Sequence, residues 1–91
     1  MTNIYIYCVF DNTEPGRDVF KGVYSSIKSA HRDALRLANR STVSVRMYHH
    51  TTEIDSSLVS LRNTFKGKCD VEVKYRTPTT SVSIYKTRIK E

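Results

Sequence analysis

Along the chain, apolar and polar positions follow three kinds of pattern. Residues 3–10, NIYIYCVF, are apolar on both sides of a period of two: Ile4, Ile6, Cys8 and Phe10 on one side, Tyr5, Tyr7 and Val9 on the other. A strand of this kind is expected inside a sheet with both faces covered. The segment 11–16 contains Pro15-Gly16 and reads as a turn, and residues 18–24, DVFKGVY, read as a second strand in a hairpin with the first. The period then changes. Ile27, Ala30, Ala34, Leu37 and Ala38 mark one face of a helix over 26–39, capped by Ser26, with Asn39 suited to a left-handed stop. Three alanines on that face allow close approach to a sheet.

Residues 42–48 return to alternation, with Val43, Val45 and Met47 on one side. A second helix is expected to start near Thr52, where Thr52 and Asp55 resemble a capping box. Ile54, Leu58, Leu61 and Phe65 keep helical spacing, and Gly67 follows as a stop. Residues 69–75 alternate Cys69, Val71, Val73 and Tyr75 with Asp70, Glu72 and Lys74, giving a strand with one wet face. After a turn at 77–80, a last strand runs over 81–89. The predicted order is β-β-α-β-α-β-β. This is an α+β fold, one domain over 1–91, with two helices packed on a mostly antiparallel sheet. Ile6, Ala34, Val45, Leu61 and Val73 are expected among the most buried residues.

Composition sharpens this picture. The chain has 91 residues, which suits one core but not a core with a deep substrate cleft. No small-molecule substrate or cofactor is expected. With six Tyr and three Phe the chain is too aromatic for a disordered segment. No apolar run reaches the length of a membrane span or signal-peptide core. Cys8 and Cys69 lack Cys-x-x-Cys spacing and are expected to be reduced and buried, in an intracellular, reducing compartment.

The net charge of +6 is unevenly placed. Segments 25–50 and 66–91 each carry +4, and the other two each carry −1. Lys28, Arg32, Arg36 and Arg40 recur every fourth residue and form one basic stripe on the first helix, opposite its alanines. Such a stripe fits phosphates, an acidic protein face, or simply a solvated surface. Lys86, Arg88 and Lys90 project from one side of the last strand, where they can meet an anion or guard an edge against aggregation. Together these seven residues form the candidate nucleic-acid or anion site. His49-His50 lacks metal-ligand spacing, and no nucleophile elbow, phosphate loop or paired-carboxylate cleft is legible, so neither metal binding nor catalysis is expected.

Lys21-Gly22-Val23-Tyr24-Ser25-Ser26, followed by Ala30 and Ala34, resembles a strand–GVYSS–helix unit of small uncharacterised proteins from phages and large DNA viruses. The resemblance covers residues 3–40 and implies a viral or phage-like origin, with no activity attached. Two function classes follow. One is a non-enzymatic structural or assembly module with a protein partner or self-assembly, in a virion if the resemblance carries over. The other is a small basic protein binding DNA or RNA. Assembly ranks first, because aromatic interleaving for base readout is poor: Val23 stands where an RNA-binding sheet signature would place an aromatic.

Overall fold

The computed structural model describes residues 4–39 and 44–89. Its elements are β1 (Tyr5–Asp11), β2 (Val19–Tyr24), α1 (Ile27–Ala38), β3 (Arg46–His49), β4 (Thr52–Ile54), α2 (Leu58–Phe65), β5 (Val71–Arg76) and β6 (Ser81–Arg88). All six strands form one sheet, ordered β2-β1-β6-β5-β3-β4, with every neighbouring pair antiparallel. The α+β class and the two-helix arrangement are as the sequence pattern predicts, with one short strand, β4, added.

One sheet face is the core. Val9, Ile84 and Val73 lie side by side across β1, β6 and β5, with Val82, Tyr75 and Met47 beside them. All are fully buried together with Ala30, Ala34 and Ala38 of α1 and Leu61 and Phe65 of α2. The alanines put the axis of α1 near the sheet, and residues of α1 contact β1, β6 and β5. Ser26 caps α1 by accepting from the Ser29 N–H. At the other end, Asn39 does not adopt the expected left-handed conformation (φ −85°). The Thr80 hydroxyl, held by the 77–80 turn, instead donates to the Ala38 carbonyl at 2.8 Å. A distant side chain thus satisfies an orphan carbonyl that a left-handed residue would otherwise serve.

The second helix starts later than predicted. Thr52-Glu53-Ile54 is a strand paired with β3, and Ile54 lies opposite Met47 over the core. Ile54 therefore matches helical spacing while reaching the core from a strand. Ser57, whose hydroxyl accepts from the Ser60 N–H at 3.1 Å, is the cap, in place of Thr52. Gly67 lies just past the helix with φ +69°, as its position in sequence suggests.

Four burial expectations fail, those for Val45, Ile6, Cys8 and Cys69. Val45 precedes β3 and is only half-buried. Ile6 is half-buried because β1 is an interior strand covered on one face alone. Both thiols are free; Cys8 shares Ile6's face, whereas Cys69 is exposed. The backbone takes a left-handed turn at Asp70 (φ 57°), so Cys69 stands outside β5 and off its apolar side.

Candidate interaction face

The basic stripe is present in part. Lys28, Arg32 and Arg36 are exposed on α1, and Arg40 lies outside the described residues. Arg36 is already engaged: its Nε and Nη2 donate to Asp33 Oδ1, and the Tyr24 hydroxyl donates to Oδ2 at 2.7 Å. Burial alone would raise the Asp33 carboxyl. The hydrogen bonds from Tyr24 and Arg36, with the Arg36 charge, outweigh it and hold the carboxyl below its ordinary range. Gly22 leaves room for this tie: a Cβ there would stand 3.3 Å from the Tyr24 hydroxyl oxygen, a tight contact that the ring would have to ease away from.

The C-terminal basic residues do not act as a set. Lys86 is only 6% exposed and faces the helices. Its ammonium donates to the Phe65 carbonyl at 2.7 Å and lies 4.5 Å from the centroid of the Tyr5 ring. Alternation correctly put Lys86 and Arg88 on one side of β6, but that side is the covered one. Lys86 therefore closes the end of α2 and is withdrawn from the anion site. Arg88 is exposed, and Lys90 lies outside the described residues.

The other sheet face has no helix over it among the described residues. Register places Val23, Cys8, Tyr85 and Glu72 in one row across β2, β1, β6 and β5. The next row holds Phe20, Phe10, Ser83 and Lys74, and Ile6 pairs with Thr87. Phe20 (56%), Val23 (52%) and Ile4 (50%) are exposed, and Phe10 and Phe20 meet edge to face at 5.7 Å. Towards β3 and β4 the face turns charged, where Arg46 pairs with Glu53 at 3.8 Å and Lys74 with Glu72 at 4.0 Å.

Within this face, Phe10, Asn12, Asp18, Glu72, Ser83 and Tyr85 line a cleft of 260 Å³. Ser83 is fully buried beneath its neighbours, and its hydroxyl has no hydrogen-bond partner. The Asn12 side-chain nitrogen donates to Asp18, which leaves Asn12 Oδ1 buried and unpartnered. The Tyr85 hydroxyl is turned to Asp70 at 3.0 Å.

Sequence reasoning missed this face, although a signal was present. When both helices pack on the same side of the sheet, as here, a strand apolar on both sides leaves one side bare. Elsewhere, His31 Nδ1 and the Tyr75 hydroxyl are 2.6 Å apart behind the sheet. Burial lowers the His31 pKa and raises that of Tyr75, so the hydrogen bond joins a neutral imidazole to a neutral phenol. The described residues contain no cluster of three or more His, Cys, Asp or Glu able to hold a metal, and no helix long and apolar enough to cross a membrane. Comparison of the chain with protein-family models, curated proteins and solved structures finds no match.

Proposed function

We propose that this protein is a non-enzymatic interaction and assembly module that docks through the bare face of β2, β1 and β6. The observation that carries this reading is the apolar patch of Ile4, Phe20 and Val23 at half exposure or more, continuous with Ile6, Cys8 and Phe10. Two strands of about seven residues, β1 and β2, present roughly 220 Å² of mainly apolar face at the usual strand spacing and rise, and β6 adds Ser83, Tyr85 and Thr87 beside them. Contiguous exposed apolar patches of this order, a few hundred Å², are often functional. Open antiparallel sheets of this kind pack face to face in sandwiches, with side chains of both faces interdigitating. A second copy of this chain offers the same apolar surface in a self-complementary pairing. On the resemblance of residues 3–40 to small phage and large-DNA-virus proteins, the setting of that assembly is a virion.

Sedimentation velocity over a concentration series tests the reading. The wild type is expected to self-associate. Phe20→Ser combined with Val23→Ser should return it to a 10.5 kDa monomer with unchanged circular dichroism. A wild type that stays monomeric throughout would overturn self-assembly.

A further inference from the structure

The cleft that Ser83 helps line is chemically lopsided. Its unpartnered polar atoms are the Asn12 carbonyl oxygen and the Ser83 hydroxyl. Its charged lining residues, Asp18 and Glu72, are both carboxylates. Lys74, opposite Ser83 in the register, reaches Glu72 only at 4.0 Å, the outer limit of an ion pair and too long for a hydrogen bond. The Asn12 orientation follows from its own contact: the amide nitrogen must face the Asp18 carboxylate, so its oxygen turns away from it. Phe10 and Tyr85 supply ring walls. At 260 Å³ the cleft is smaller than the roughly 300–1,000 Å³ typical of small-molecule sites. It is sized for the head of one side chain.

Carboxylate and amide acceptors, a buried hydroxyl and aromatic rings in one lining favour a flat cation with many N–H donors. A guanidinium fits that description: it donates in a planar fork and stacks on rings. We infer that this cleft is an arginine-binding pocket, receiving an arginine side chain from the protein surface that docks on the bare face. The inference rests on docking through that face and names the anchor the partner carries. Arginine is among the residues that most often dominate interface energetics, and the surrounding apolar patch would exclude water from it.

The test uses N-acetyl-arginine methylamide, titrated into isotope-labelled protein while the amide resonances of Phe10, Asn12, Ser83 and Tyr85 are followed. Saturable shifts confined to these residues are expected at millimolar concentrations. The neutral isostere N-acetyl-citrulline methylamide should give none. Asp18→Asn with Glu72→Gln should weaken binding about fivefold or more. Both substitutions keep side-chain shape, and Asp18 is exposed, so the variant is expected to fold. No saturable shift up to about 100 mM, or equal shifts from citrulline, would overturn the pocket. The probe needs no partner protein, so the two readings separate. Arginine binding without self-association removes the self-assembly reading alone, and self-association without arginine binding removes the pocket alone.

Discussion

Lys86 shows how one residue can be read wrongly from period alone. Its ammonium sits behind the sheet on the Phe65 carbonyl, with Tyr5 alongside. Shortening it to Ala removes both a packed alkyl stem and the hydrogen bond to the end of α2. A hydrogen bond from a charged donor contributes about 1.5–3 kcal/mol, and loss of the stem adds to that. Lys86→Ala should therefore lower stability by about 2–4 kcal/mol. Lys86→Met, which keeps most of the stem, should cost less. Urea unfolding of the two variants checks both values. A Lys86→Ala protein as stable as the wild type would place the side chain in solvent after all.

At the scale of elements, α1 joins two roles on opposite faces, as its sequence pattern indicates. Its alanine face packs on the sheet, and its outer face carries Lys28, Arg32 and Arg36. Because Arg36 is tied to Asp33, the stripe offers duplex DNA fewer uncommitted charges than its spacing suggests. Each phosphate neutralised adds a slope of about −0.9 in log K against log salt. Replacing both Lys28 and Arg32 by Ala should leave the fold intact, since Ala is the better helix former. It should also leave self-association through the bare face unchanged. If the double change instead flattens the salt dependence of duplex binding by about two phosphates' worth, the helix is a nucleic-acid contact. Salt-dependent fluorescence anisotropy beside sedimentation decides it.

What could be read from sequence also sorts by element. β5 was legible because one of its faces is wet, and α1 because its small residues recur on one face. β4 was not, since a three-residue strand lies below the resolution of any period and Ile54 fits a helix equally well. The bare face was hidden because two-sided apolarity has two causes, burial within a layered fold and exposure for a partner. The cleft brings together Asn12, Asp18, Glu72 and Ser83, which only the pairing of β1 with β6 and β6 with β5 makes neighbours.

Over the whole molecule, titration makes the fold sensitive to acid. Burial lowers the His31 pKa, and burial with the charges of His50 and Lys68 lowers that of His49. Above the unfolded value of about 6.5 both states are neutral and stability does not vary on their account. Below it the unfolded chain takes up protons first, so stability falls as pH falls. Asp33 adds to the loss further down: its folded pKa is depressed, so its contribution is present above about 4 and fades as the pH drops through the folded value. The urea midpoint should therefore fall from pH 8 to pH 5.5, and His31→Gln should flatten part of that fall. A midpoint that rises on acidification would contradict the burial of both rings.

The place of β6 in the sheet also bears on time. It lies between β1 on one side and β5 on the other, so within the sheet it is the strand that joins the β1–β2 hairpin to the β5-β3-β4 half. Its partner β1 precedes it by some seventy residues, a separation that makes pairing slow, because chain entropy must be lost before the contact repays it. During synthesis β1 and β2 leave the ribosome long before β6 exists. Throughout that interval β1 has an open edge and two apolar faces, one awaiting helices and the other never covered by them. The surface that would serve docking is thus also the one most open to premature association, and the cell's handling of the nascent chain must bridge the gap until β6 inserts.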